Sequence, residues 1–243
     1  GPGGHNVGED GAKVAVEMHL RWSRNAGQGC AALARLLVHE SRFDEFVEAG
    51  ASAFDQMVVG DPWDRATNIG PLIRPDHQAR VQSFITDSLA VGGRKLLEVT
   101  KPLPEKGWYV NPVLLGGLDH SARACQEEIF GPIAVLVPFK DTEDAIRLAN
   151  DTKYGLAGAV WSRDIQRAIG VAKRIRAGTV WINDYHLLNP NAPFGGFKQS
   201  GTGHEMSTYC LKEYTEIQHL HVDQVGNDRG RKFWFDYVMN RPE

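Results

Sequence analysis

The chain has 243 residues, 42% of them hydrophobic, and a formal net charge of −3. That length and apolar content suit one large α/β domain or two small ones, and with no strongly basic face a nucleic-acid partner is not expected. No apolar run approaches the roughly 20 residues of a membrane-spanning helix, and nothing at the N-terminus reads as a signal peptide.

Taken in order, residues 11–24 carry Val14, Met18 and Trp22 at four-residue spacing, which predicts a helix. Leu36-Leu37-Val38 is a short apolar run suited to a buried strand. Phe43, Phe46, Val47 and Phe54 then follow a helical period until Gly60-Asp61-Pro62 stops it. Over 75–91, Val81, Phe84, Ile85 and Leu89 share one helical face. Tyr109-Val110 and Val113-Leu114-Leu115 flank Pro112 and read as an irregular strand. Next come a strand over Ile133–Phe139, a helix over Thr142–Asn150 and a strand over 156–161. A helix over 165–176 stops at Gly178, and Thr179–Ile182 is again rich in β-formers. This alternation predicts a mostly parallel sheet covered by helices, an α/β fold. Residues 212–222 are polar and β-compatible, fit for an edge strand. In the tail, Phe233, Trp234, Phe235, Tyr237, Val238 and Met239 are too apolar to be left in water and are expected to dock on a protein surface.

Cys30, Cys125 and Cys210 are odd in number and irregularly spaced, which fits reduced thiols in a cytoplasmic protein better than a disulfide framework. No Cys/His pairing has the spacing of a zinc site, so no metal is expected. Cys30 closes the stretch Asn25-Ala26-Gly27-Gln28-Gly29-Cys30. Glycines there permit close backbone approach, and the polar setting differs from that of a core cysteine. Cys30 is therefore a candidate nucleophile, with an inert structural cysteine as the alternative.

Three blocks carry a resemblance: the Cys30 segment, Gln126-Glu127-Glu128-Ile129-Phe130-Gly131-Pro132, and Pro193-Phe194-Gly195-Gly196-Phe197-Lys198-Gln199-Ser200-Gly201. With Gly60-Asp61-Pro62, Ile69-Gly70-Pro71-Leu72, Tyr154-Gly155-Leu156 and the 177–183 segment, their order and spacing resemble the aldehyde dehydrogenase superfamily. The likeness runs from about residue 12 to Asp223 and corresponds to that family's catalytic, C-terminal half. It implies a catalytic domain over 1–210 without the usual cofactor domain, an arm strand over 211–224 that joins a neighbouring subunit, and an aromatic tail over 225–243. It further implies oxidation of an aldehyde to an acid with NAD or NADP, through a thiohemiacetal and a thioester on Cys30. By the same likeness Glu128 would hold the nicotinamide ribose and Phe130 would press on the nicotinamide end. The family's general-base glutamate and oxyanion asparagine belong to its other half, so a separate cofactor-domain chain is a possible partner, beside a homo-oligomer.

Other roles rest on the residues themselves. Trp181 and Tyr185 are candidates for a substrate tunnel or for core. Phe194 would pack beneath the site. Asn25 would hold the cysteine loop or touch substrate, and Gln28 reads as a loop-stabilising amide. Lys198 is expected to pair with an acid at a boundary. Two other functions fit the same residues: a cofactor-independent thiol esterase and a non-catalytic oligomerisation module.

Overall fold

The computed structural model describes residues 22–222 and residue 224. Most of the expected 11–24 helix and all of the aromatic 225–243 segment lie outside these residues.

The first strand, β1 (Arg35–His39), follows the cysteine segment and leads into α1 (Phe43–Gln56), which buries Phe46, Ala53 and Phe54. Helix α2 (Pro75–Ala90) begins with proline in its first turn, where the missing N–H is no loss. Val81, Phe84 and Ser88 form its buried stripe, at helical spacing. Strand β2 (Arg94–Glu98) has no clear apolar period and was not expected; it forms by antiparallel pairing with β3 (Val113–Gly116). The short helix α3 (Arg123–Gln126) precedes β4 (Ile133–Phe139), whose first five residues are all buried. A continuous apolar run of this kind belongs at the centre of a parallel sheet covered on both faces. Indeed the order is β1-β4-β3-β2, with β4 parallel to both neighbours.

Helix α4 (Thr142–Asn150) is capped by Asp141, which accepts from the Asp144 N–H at 2.9 Å. After β5 (Tyr154–Gly155), β6 (Ala157–Val160) pairs in parallel with β7 (Thr179–Ile182). Helix α5 (Ile165–Ala172) between them uses Asp164 as its cap. Three two-residue strands follow, β8 (Phe194–Gly195), β9 (Phe197–Lys198) and β10 (His204–Glu205), so 193–201 is a pair of tight β-bridges rather than a plain loop. Helix α6 (Tyr209–Glu213) takes up the start of the expected arm, and residues 215–222 form no strand in this chain. Ile217, Leu220 and Val222 there are 75% exposed or more. A strand needs a partner edge, and none within the described residues meets this segment.

The core joins Trp22, Leu36, Phe54, Phe84, Leu114, Ile133 and Leu136, each at most 3% exposed. Such side chains contribute about 1.5–3 kcal/mol apiece, enough to hold the two loops described next on a rigid base.

Candidate active site

The cysteine segment leaves the core through a tight turn. Asn25, Ala26 and Gly27 are all left-handed, with φ of 53°, 53° and 69°, a costly run for two residues with a β-carbon. Two sets of hydrogen bonds hold it. The Asn25 side-chain amide donates to the Gln28 carbonyl at 2.9 Å, and the Gln28 N–H donates back to the Asn25 carbonyl at 3.0 Å. The Gln28 side chain then reaches across the fold, donating to the Pro71 carbonyl at 3.3 Å and accepting from the Ile73 N–H at 3.1 Å. Gln28 is thus the loop-holding amide that its position led us to expect. A further turn, closed by the Ala32 N–H on the Gly29 carbonyl at 3.0 Å, presents Cys30 at its tip, exposed to solvent.

The second loop, residues 127–132, is held by one face of α2. Arg80 donates to the carbonyls of Glu128 at 2.7 Å and Ile129 at 2.8 Å. One helical turn earlier, His77 Nε2 meets the Phe130 carbonyl at 2.7 Å. Three successive carbonyls are therefore fixed by two side chains at i and i+3, neighbours on a helix surface. Phe130 is left-handed (φ 57°) and 37% exposed. The Glu128 side chain is exposed, and its carboxylate has no hydrogen bond among the described residues.

The two loops meet at their glycines. A β-carbon on Gly27 would lie 2.0 Å from the Gly131 carbonyl oxygen, so only glycine lets the backbones touch. Cys30, Gly29, Glu128, Phe130 and Tyr185 consequently line one cavity of about 960 Å3. Tyr185 is buried, and its ring packs edge-on against Trp181 at 5.0 Å. Burial pushes its hydroxyl upward, and the nearby Cys30 adds to the shift. Trp181 itself lies off the cavity wall, its indole N–H donating to the Leu187 carbonyl at 2.9 Å. Phe194 sits in β8, paired with Glu205, and Asn25 folds back on Gln28; neither lines the cavity. Of the four residues considered for substrate contact, the structure places Tyr185 on the wall.

Among the described residues, Lys198 meets no acid side chain. It donates to the carbonyls of Asn150 at 2.8 Å and Thr152 at 3.0 Å, beside the C-terminus of α4, where a cation is favoured by the helix dipole. Burial lowers its pKa, and so do Arg176 and Arg35. Arg35 caps the same helix end through the carbonyls of Leu148 at 3.2 Å and Ala149 at 3.3 Å. Beside it, Cys125 is buried, which pushes its thiol up to about 11. Arg80 and His77 are the supports that sequence reading missed, because their carbonyl partners lie 48, 49 and 53 residues away and leave no local pattern.

The aldehyde dehydrogenase family model matches residues 9–220. The chain belongs to the aldehyde dehydrogenase family. It is 40% identical over 220 residues to betaine aldehyde dehydrogenase of Bacillus subtilis (strain 168), covering 88% of this chain and 43% of that relative. Among solved structures, it resembles betaine aldehyde dehydrogenase from Staphylococcus aureus in complex with NAD+, with a TM-score of 0.80 and 38% identity over 84% of this chain and 41% of that one. A mutant of aldehyde dehydrogenase C from Pseudomonas syringae, complexed with NAD+ and octanal, gives a TM-score of 0.80 at 36% identity, over 84% and 42%. The chain thus spans less than half the length of these aldehyde dehydrogenases.

Proposed function

We propose that this chain carries the catalytic cysteine and the nicotinamide-side contacts of an NAD(P)-dependent aldehyde dehydrogenase. The observation that supports it is the backbone contact of Gly27 with Gly131, which sets the thiol of Cys30 and the Glu128–Phe130 pair on one cavity. The residues fit such a cofactor: an exposed, unengaged carboxylate can accept from two ribose hydroxyls, and an exposed ring beside it offers a flat apolar face.

A carbonyl gives up no hydride until it becomes tetrahedral. Cys30, as thiolate, attacks the aldehyde carbon and forms a thiohemiacetal. The oxyanion so formed lies beside the Cys30 backbone N–H, which makes no hydrogen bond among the described residues and is free to donate. Bound NAD(P) supplies the hydride acceptor. Glu128 and Phe130, on a loop whose carbonyls are held by Arg80 and His77, would hold its nicotinamide end. The resulting thioester is released by water, with Cys30 as the leaving thiolate. Deacylation needs a general base, worth about 10²–10⁴-fold, and in this reading it comes from the family's other half, in the same protein or a separate chain. Assembly as a homo-oligomer through residues 211–224 belongs to the same proposal.

The test is NADH formation with NAD+ and a panel that includes betaine aldehyde and octanal, run on the purified chain and on the chain mixed with the unmatched part of the Bacillus relative. Turnover that disappears in Cys30→Ser is expected. Turnover unchanged in that variant, or hydrolysis of an activated ester with no NADH formed under any of these conditions, would remove the dehydrogenase reading.

A further inference from the structure

The second loop is anchored along one stripe of α2. His77, Arg80, Ser83, Phe84 and Asp87 recur mainly at three- and four-residue spacing, which sets them in a row on the helix surface. His77 and Arg80 hold the carbonyls of Phe130, Ile129 and Glu128. The far end of the stripe takes Arg123, the first residue of α3. Its guanidinium donates to Ser83 Oγ at 3.1 Å and to Asp87 Oδ2 at 2.5 Å. It also lies 4.0 Å over the ring of Phe84, which is fully buried, and the Arg80 guanidinium lies over the same ring at 4.9 Å. The segment runs against the helix, since residue 130 meets residue 77 and residue 123 meets residue 87. From 77 to 87 the helix rises about 15 Å, so the segment 123–130 is pinned at both ends.

Arg123 has a further partner. Its Nε donates to the Glu127 carboxylate at 3.2 Å, four residues on. Glu127 is extended, with φ −104° and ψ 154°, and successive side chains of an extended chain point to opposite sides. The two adjacent glutamates therefore separate. Both border the cavity, and as carboxylates they are chemically alike, so either could accept from ribose hydroxyls. Glu127 is engaged by the guanidinium, whereas the Glu128 carboxylate has no hydrogen bond among the described residues. An exposed ion pair by itself is a weak clasp. Here three acceptors and a buried ring fix the planar guanidinium, which makes the clasp directional.

We infer that Arg123 is a positioning residue for the cofactor carboxylate: by engaging Glu127 it leaves Glu128 as the glutamate offered to the ribose, and through Asp87 it keeps the loop in register on α2. The inference rests on the reading of Glu128 given under the proposed function. Arg123 acts on the cofactor only through its neighbours, so its loss weakens cofactor binding while the step at Cys30 keeps its rate.

The first experiment needs no cofactor. The purified chain is labelled with a water-soluble carbodiimide and glycine ethyl ester, and tandem mass spectrometry resolves the two glutamates. Glu128 is expected to label about threefold faster than Glu127, the scale of a modest ion pair. In Arg123→Met the two rates converge. Arg123→Lys keeps the charge, guards against a misfolded methionine variant, and retains part of the preference. Equal rates in the wild-type chain, or a preference that survives Arg123→Met, overturn the inference. The second experiment uses the chain mixed with the unmatched part of the Bacillus relative. Arg123→Met is expected to raise the KM for NAD+ about tenfold with kcat within about twofold, the pattern of lost binding rather than lost chemistry. Adding Glu127→Gln to Arg123→Met restores most of the KM, because the competing carboxylate is gone. A purely structural role predicts no restoration and overturns the inference, as does an unchanged KM. A mixture with no turnover at all removes the dehydrogenase reading instead, and the labelling rates still decide whether Arg123 selects between the two glutamates.

Discussion

Gly27 and Gly131, 104 positions apart in the chain, are in backbone contact: a β-carbon on the first would stand 2.0 Å from the carbonyl oxygen of the second. The contact joins the loop of the nucleophile to the loop of Glu128 and Phe130, and Gly27 is left-handed as well.

Substituting Gly27→Ala therefore meets both a backbone collision and an unfavourable φ. It is expected to destabilise the chain by about 3 kcal/mol or more. Gly29→Ala is the control, because its β-carbon meets nothing within 4 Å and its φ is not left-handed; a change within about 0.5 kcal/mol is expected. Urea unfolding of both variants checks the pair. Equal stabilities would show that the two loops separate without cost.

Arg80→Met removes the donor to two carbonyls, and His77→Ala removes the donor to a third. A hydrogen bond from a charged group is worth about 1.5–3 kcal/mol, and partial exposure puts Arg80→Met near the lower end. Faster amide exchange at Ile129 and Gly131, with exchange in β4 unchanged, is the expected signature. If the loop amides keep wild-type rates, α2 does not hold the loop.

Gln28→Ala cuts the ties to Pro71 and Ile73. The loss is expected at about 1–2 kcal/mol, and the freed turn changes the rate at which iodoacetamide alkylates Cys30. In the native protein Cys30, being exposed, reacts before Cys125, which is buried. Mass spectrometry of the labelled chain reads both. Labelling of Cys125 at the Cys30 rate would mean that the core around β4 opens.

Cys125 also makes stability depend on pH. Its thiol is raised from 9.0 to about 11, chiefly by burial. The folded state holds the proton longer than the unfolded one, so the unfolded state binds fewer protons between those values and stability falls as pH rises there. The contribution is fully present below about pH 9 and lost above about pH 11. Cys125→Ala is expected to flatten that part of the profile, measured as the urea midpoint against pH. A slope that survives the substitution assigns the effect to other groups.

Local pattern was enough for much of this protein. The three- and four-residue spacing of Val81, Phe84, Ile85 and Leu89 and the unbroken apolar run of β4 predict a helix and a central strand, because burial follows the period of the backbone. Cys30, Glu128 and Phe130 stand out in the sequence because their neighbours along the chain mark them, and the structure sets all three on one cavity. What local pattern does not carry is any partner far away in sequence. The Gln28 ties that brace the turn at Asn25 and Ala26, the Arg80 and His77 supports, and the replacement of an acid by helix-end carbonyls around Lys198 all arise from contacts spanning tens of residues. Trp181 and Tyr185 look alike in sequence, four positions apart, yet only Tyr185 reaches the cavity wall. Strand β2 and residues 215–222 make the same point from opposite sides. β2 pairs because β3 offers it an edge, and 215–222 pair with nothing because no edge within the described residues meets them. A strand is half of a hydrogen-bonded pair, and the other half is decided by the tertiary structure alone.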